Sequence, residues 1–180
     1  GMVLKLETKR LILRKPRRSD YKDIHEGVKD IEVTRNLLVV PHPYKEKDAK
    51  EFIEHCLKKW SKRKKDSIPF FIELKNEKKV IGVLELMKID DFQGTAETGA
   101  WINPRYQRQG FMTEAKIAVN EYAFNELKLR RLFTMVFHDN IASQKTQLKM
   151  GYKKEGLMRE QVRDKATGTI HDEVVYGLLK

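Results

Sequence analysis

The sequence predicts a mixed α/β (α+β) domain, in which strands both follow one another directly and alternate with helices, over residues 1–180 as one unit. Short apolar or alternating runs predict the strands, and apolar residues recurring every three or four positions predict the helices. No repeat, low-complexity tract or linker rich in Pro, Gly or Ser divides the chain. At 180 residues, it can bury about two-thirds of its unfolded surface in one core.

The N-terminal half is predicted to contain a strand, two helices and a hairpin. Leu11–Arg14 is the strand, and a helix beginning near Ser19 places Ile24, Val28 and Ile31 on one face. A longer amphipathic helix from about 46 to 63 is predicted from apolar positions at helical spacing, namely Ala49, Phe52, Ile53, Cys56, Leu57 and Trp60. The hairpin joins strands Pro69–Leu74 and Val80–Leu86.

The C-terminal half alternates strands with helices before it closes in a second hairpin. The predicted elements are a strand at Glu97–Ile102, a helix at about 112–127, a strand at 131–137, a helix at 140–150, and strands at 152–163 and 170–179 with a turn at 164–168. The total is about seven strands and four helices.

The chain is strongly basic, with a formal net charge of +11 from 37 Lys and Arg against 26 Asp and Glu. Basic residues concentrate in 14–18 and 58–65. We expect these runs to be solvated surface rather than a nucleic-acid site, although contact with a ribosome or an acidic protein stays open. No apolar run approaches the roughly 20 residues that span a bilayer, and no signal segment is evident, so we expect no membrane association and a cytoplasmic protein.

Several classes of site lack their residues. A glycine pair at 151–156 has phosphate-loop spacing, but Leu157 and Met158 replace the required Lys and Ser or Thr, and no Gly-x-Gly-x-x-Gly is present. Five scattered histidines and one cysteine show no zinc-ligand spacing, so no metal is expected. Cys56, on the apolar side of its helix, is a poor candidate for thiol catalysis.

Residues 102–115 predict an anion site, because an apolar strand ends there, a turn containing Gly110 follows, and a helix begins. Main-chain N–H groups at a helix N-terminus and the positive end of its dipole can hold a diphosphate. Arg105 and Arg108 can add formal charge. An ordinary tight connection has the same pattern.

Two signatures make the chain resemble the GNAT superfamily of acyl-CoA-dependent N-acyltransferases. Residues 107–112, Gln-Arg-Gln-Gly-Phe-Met, are similar to its Gln/Arg-x-x-Gly-x-Gly/Ala signature, with Met112 in place of a small residue. Residues 138–152 resemble its second signature, in which Asn-x-x-Ser opens a short helix that ends in Gly-Phe or Gly-Tyr. With 156–159 and 172–176, the likeness extends from Thr8 to the C-terminus and favours the branch of ribosomal-protein-alanine and spermidine acetyltransferases.

The resemblance implies acetyl-CoA as cofactor and a mostly antiparallel sheet that is splayed between the fourth and fifth predicted strands, with the pantetheine in the gap. It implies that the Asn140 side chain bonds the pantetheine arm, whereas a helix N-cap needs no ligand. The cofactor-binding residues implied are Trp101, Ile102, Gln107, Arg108, Gln109, Gly110, Phe111, Met112, Thr113, Asn140 and Ser143.

Aminolysis of a thioester requires a neutral amine, stabilisation of the oxyanion and a proton for the thiolate. Glu97 is the expected base, directly or through water, with Glu85 in reserve; an exposed carboxylate paired with a lysine is the alternative. The resemblance assigns the oxyanion contact to the Ile102 N–H. The relatives' tyrosine is absent between Asn140 and Gly151, so Ser143 is the candidate acid, unless its hydroxyl only satisfies backbone groups.

The predicted function is direct transfer of acetyl from acetyl-CoA to a primary amine. The resemblance favours a protein N-terminal α-amine, with a ribosomal protein as one candidate. The alternatives are a polyamine or other small amine, a non-catalytic acyl-CoA-binding protein and an RNA-associated module. The acceptor pocket is expected to use the first helices and residues 39–42, and a homodimer is consistent with the resemblance.

Overall fold

The computed structural model describes residues 3–37 and 40–180. Its strands form a single eight-stranded sheet within these residues, in the order β1-β2-β3-β4-β5-β6-β8-β7. The strands are β1 (Leu6–Glu7), β2 (Leu11–Arg14), β3 (Ile68–Leu74), β4 (Lys79–Asp90), β5 (Thr95–Ile102), β6 (Arg131–Phe137), β7 (Lys153–Arg163) and β8 (Ile170–Leu179).

Every neighbouring pair in this sheet is antiparallel except β5 and β6. The parallel pairing of β5 with β6 extends only from Thr95↔Arg131 to Glu97↔Phe133. Both strands continue past this point, β5 to Ile102 and β6 to Phe137. The sheet is therefore splayed beyond Glu97, as the resemblance implied, and we call the opening the β5–β6 gap.

Helices cover both faces of the sheet. They are α1 (Tyr21–Val28), α2 (Ile31–Thr34), α3 (Glu46–Ser61), α4 (Phe111–Asn125) and α5 (Ile141–Lys149). Alternate residues of a strand face opposite sides, and Phe70 and Ile72 of β3 accordingly join a core with α4, whereas Phe71 joins a core with α1 and α3. None of the helices within the described ranges combines the length and apolar character needed to cross a bilayer.

The predicted class and splayed sheet are confirmed, with two differences of detail. The two-residue β1 adds an eighth strand, paired to β2 at Leu6↔Leu13. The first predicted helix ends at Val28, because extended Asp30 (ψ 130°) begins a new helix by accepting a hydrogen bond from Glu32 N. Ile31 therefore belongs to α2.

The first basic run is not a continuous cationic surface. Arg14 is 6 % exposed and donates to Asp20 and Glu73 at 2.8–3.0 Å. Burial opposes the positive charge, but these carboxylates outweigh it and raise the pKa of Arg14. Arg14 therefore stabilises the core of the fold and is not available to bind RNA.

Candidate active site

The β5–β6 gap exposes one edge of β5. Asn103 N donates to Ile81 O of β4 at 2.7 Å. Since main-chain groups alternate sides along a strand, the N–H groups of Ile102 and Ala100 point away from β4 and into the gap. Thr98 O, two residues earlier, points the same way and accepts from Thr134 Oγ1 of β6 at 2.8 Å. The Ile102 N–H thus has the direction that the predicted oxyanion contact requires.

The turn after β5 ends at the N-terminus of α4, where Gly110 has a left-handed backbone (φ +79°) that glycine adopts without strain. The N–H groups of Phe111, Met112 and Thr113 make no hydrogen bond with a described residue, and the first helical bond joins Glu114 N to Gly110 O. The three residues before Gly110 are exposed, namely Gln107, Arg108 and Gln109. Three unpaired donors at the positive end of a helix form a suitable anion site.

Arg10, which lies between β1 and β2 at one edge of the sheet, holds this turn in place. Its Nε donates to Glu114 Oε1 at 2.8 Å, its Nη1 donates to Gln109 O at 3.0 Å, and its guanidinium lies 4.2 Å from the centre of the Phe111 ring. Thr8 Oγ1 donates to Glu114 Oε2 at 2.6 Å. Although burial opposes ionisation, these bonds lower the pKa of Glu114. Sequence analysis missed the role of Arg10, because its partners are about 100 residues away.

The opposite wall of the gap leads into α5. Asn140 Oδ1 caps α5 by accepting from Ser143 N at 3.2 Å, which confirms the N-cap interpretation. Neither the Asn140 Nδ2 group nor the Ser143 hydroxyl donates to any residue that the structure describes. Cap and ligand contact can therefore coexist at Asn140, because they use different atoms.

The inner face of α5 is polar. Gln144 donates to His138 O at 2.6 Å and accepts from the Tyr176 hydroxyl at 2.9 Å. Gln147 accepts from Lys116 Nζ of α4 at 3.1 Å. Burial lowers the pKa of Lys116 to about 8. The bonds to Tyr176 and Lys116 help to hold α5 beside the gap.

Glu97 lies where the pairing of β5 with β6 ends, and its side chain is only 12 % exposed. Lys88 Nζ is 2.9 Å from Glu97 Oε1, so the two side chains form an ion pair, but the angles are not those of a hydrogen bond. The alternative interpretation is thus half correct, since Glu97 is paired with a lysine but is not an exposed carboxylate. Glu85, the reserve candidate, accepts from Lys59 Nζ at 2.6 Å and from the Ser67 hydroxyl.

Trp101 was predicted to bind the cofactor, but its side chain lies away from the gap, and the side chains of Cys56 and Tyr152 are buried. Trp101 packs on α1, where a Cβ atom added to Gly27 would lie 2.8 Å from its ring, and its main chain faces β4. Cys56 is 1 % exposed, and burial raises the pKa of its thiol to about 12. Tyr152 is 2 % exposed in a core with Val136, and burial raises its pKa. Val39, expected in the acceptor pocket, lies outside the described residues.

The gap and the two helix N-termini fit an acyl-CoA. Unpaired N–H donors of α4 suit a diphosphate, the free β5 edge suits an extended arm with amide groups, and Asn140 Nδ2 is available at the other wall. Glu97 lies at the closed end, on the sheet face opposite to α4. The gap thus lies between the N–H groups that could bind a cofactor and the carboxylate of Glu97.

A family model described as "Acetyltransferase (GNAT) domain" matches residues 10–153. The uncharacterised N-acetyltransferase YoaA of Bacillus subtilis is 33% identical over 97% of this chain and 96% of its own length. Shorter similarities are found to two Escherichia coli proteins. A ribosomal-protein-serine acetyltransferase is 30% identical over 47% of each chain, and a spermidine N(1)-acetyltransferase is 34% identical over 51% of this chain and 48% of its own.

Solved structures share the fold over nearly all of both chains. A GNAT-family acetyltransferase from Bacillus anthracis superposes with a TM-score of 0.82 at 25% identity and covers 98% of each chain. The self-immunity acetyltransferase MccE, solved in complex with acetyl-CoA and AMP, gives a TM-score of 0.83 at 21% identity over 96% of this chain and 94% of its own.

Proposed function

Because the chain belongs to the GNAT family of acetyl-CoA-dependent N-acetyltransferases, we propose that its acceptor is the N-terminal α-amine of a protein, with a ribosomal protein as the first candidate. The observation that carries the proposal is the nearly buried Glu97 carboxylate at the closed end of the β5–β6 gap. An α-amine has a pKa of about 8, against about 10.4 for lysine, so one carboxylate or a water molecule beside it suffices as base.

The cofactor site is assigned to the main chain around the gap. When bound, acetyl-CoA supplies the acetyl group as a thioester and leaves as a thiol. The N–H groups of Phe111, Met112 and Thr113 would bind its diphosphate, and Asn140 Nδ2 would donate to its pantetheine arm. The Ile102 N–H would donate to the carbonyl oxygen of the thioester, and a fixed donor of this kind can lower the activation barrier by a few kcal/mol.

Two side chains move protons in this proposal. Glu97 takes a proton from the acceptor amine, directly or through water, after the amine has displaced Lys88. The Ser143 hydroxyl, which donates to no described residue, gives its proton to the departing sulfur and recovers one from solvent. Transfer is direct, because the one cysteine of the chain is buried and its thiol has a raised pKa.

A small polyamine is the second candidate acceptor. The similarity to spermidine N(1)-acetyltransferase covers about as much of this chain as the similarity to the ribosomal-protein enzyme. The net charge of +11 repels a polycation. At 0.1 M salt this repulsion is largely screened at distances beyond about 10 Å, so carboxylates close to the site decide whether a polycation binds.

The test is release of free thiol from acetyl-CoA in the presence of peptides with free N-termini, spermidine and amino sugars. We expect turnover with peptide α-amines, a loss of at least about 100-fold in kcat for Glu97→Gln and about 10-fold for Ser143→Ala. Glu121→Gln, which removes an exposed carboxylate of α4, is the matched control. Turnover with spermidine alone favours the second candidate, and cofactor binding without thiol release from any amine contradicts the proposal.

A further inference from the structure

Glu173 of β8 is a buried carboxylate that the proposed mechanism does not yet use. The residue is 5 % exposed, yet it makes no hydrogen bond or ion pair with any residue in the described ranges. Its neighbour Asp172 accepts from Glu160 N at 2.6 Å. A largely buried carboxylate without a partner is unfavourable. Because the oxygens of Glu173 are not among the fully buried unpaired atoms, they keep some contact with solvent, and a cationic ligand can reach them.

The strand register places Glu173 on the same sheet face as Glu97. Glu97 is opposite Phe133 in β6, and Glu173 is opposite Phe137 in the same strand. Phe133 and Phe137 are four residues apart and so face the same side of the sheet. Glu97 therefore stands at the closed end of the gap and Glu173 beside its open end, on the face opposite to α4.

The charge of Glu97 acts on Glu173 across β6. Burial raises the pKa of Glu173, and the negative charge of Glu97 raises it further, while His171 and Lys88 act in the other direction. His171 is held by Asp164 at 2.7 Å, and its ring stacks on Phe137 at 4.0 Å. Lys88 is paired with Glu97. The groups facing Glu173 thus include no dedicated cation of its own.

We propose that Glu173 is a second carboxylate of the acceptor site, which together with Glu97 binds the ammonium form of the acceptor amine at the β5–β6 gap. The inference rests on the proposed function and adds the recognition element for the amine. One proton passes from the ammonium to Glu97 or through water. The nitrogen then bonds to the acetyl carbon as the carbon–sulfur bond breaks, a second proton leaves the nitrogen, and the sulfur takes one, so that one proton is released overall.

This carboxylate pair gives a basic chain a locally negative acceptor site. Its selectivity is for a primary ammonium group rather than for a neutral nucleophile such as an alcohol. Phe137 is directly opposite Glu173 in the neighbouring strand, and its ring is covered on one face by His171. An aromatic ring beside the carboxylates can add to the attraction for a cation.

The kinetic test is Glu173→Gln, with spermidine and a peptide bearing a free N-terminal serine as probes. We expect the KM for each amine to rise by about tenfold or more, as for loss of a charge-assisted hydrogen bond, while the KM for acetyl-CoA stays unchanged. Glu173→Asp should recover part of the loss. Glu160→Gln, which removes an exposed carboxylate from the same hairpin, is the control and should leave both constants unchanged.

A carboxyl carbon NMR titration provides a readout that does not depend on turnover. Replacing Glu97 by Gln should move the titration midpoint of Glu173 to lower pH, and spermidine should shift the Glu173 signal of the wild-type protein. Normal amine KM values in a folded Glu173→Gln protein, or a Glu173 signal indifferent to both changes, overturn the inference alone. A wild-type protein that acetylates none of the amines overturns the proposed function and the inference with it.

Discussion

Lys88 Nζ lies 2.9 Å from Glu97 Oε1, with 70 % of the lysine side chain exposed against 12 % of the glutamate side chain. An exposed cation therefore lies on the solvent side of the candidate base. An incoming ammonium group has to replace it, because both cations compete for one carboxylate.

Replacing Lys88 by Met removes this competitor. We expect the KM for a cationic amine to fall by up to about fivefold with little change in kcat, since an exposed ion pair contributes at most about 1 kcal/mol. Steady-state kinetics at low and high salt measure this, and the difference from wild type should shrink as salt rises. An increase in KM would show that Lys88 helps to bind the acceptor.

Asn140 is expected to have two separable roles, and two substitutions separate them. Asn140→Ala loses the cap of α5 and should lower the free energy of unfolding by about 1 kcal/mol. Asn140→Asp keeps an oxygen that accepts from Ser143 N but has no amide donor, so stability should remain. Both should bind coenzyme A more weakly in calorimetry. Wild-type affinity in the Asp variant would limit Asn140 to capping.

Asp164 makes the stability of the protein depend on pH through the β7–β8 hairpin. Burial opposes ionisation, but hydrogen bonds from His171 and Thr167 outweigh it and lower the pKa of Asp164 to about 2. A lowered native pKa stabilises the fold above the unfolded pKa of about 4, and the stabilisation is lost as the pH falls towards 2. Between pH 5 and pH 2 the wild type should therefore lose about 1–2 kcal/mol more than Asp164→Asn in urea unfolding.

Lys116 carries a buried ammonium group that lowers the free energy of unfolding. Burial lowers its pKa to about 8, so the penalty applies in full below pH 8 and disappears as the pH rises to about 10.5. Lys116→Met should increase the free energy of unfolding at pH 7 by about 1–3 kcal/mol, less above pH 8. A destabilised variant at pH 7 would mean that the bond to Gln147 outweighs desolvation.

The long periodic segments made most of the fold predictable. Helix α3 and the strands around Phe70 and Val83 have apolar spacings that allow one assignment each. The two-residue β1 is too short to show a period. The break before Ile31 was hidden because Ile31 continues the apolar spacing of Val28 across it.

The site was predictable where local motifs define it and not where distant residues meet. Gly110 and Asn140 sit in short signatures whose local geometry the structure reproduces. The bonds of Arg10 to Glu114, and the exposure of Glu173 to the charge of Glu97, depend on contacts between residues that are far apart in sequence. The burial of Arg14 has the same origin, because its partner Glu73 lies 59 positions away.

The central claim is that coenzyme A binds with its diphosphate at the N-terminus of α4 and its arm along the free edge of β5. An amide NMR titration of the wild-type protein with coenzyme A tests it directly. We expect the largest shifts at Phe111, Met112 and Thr113, with further shifts at Ile102. Saturable binding that leaves these four amides unmoved and shifts signals elsewhere would contradict the account.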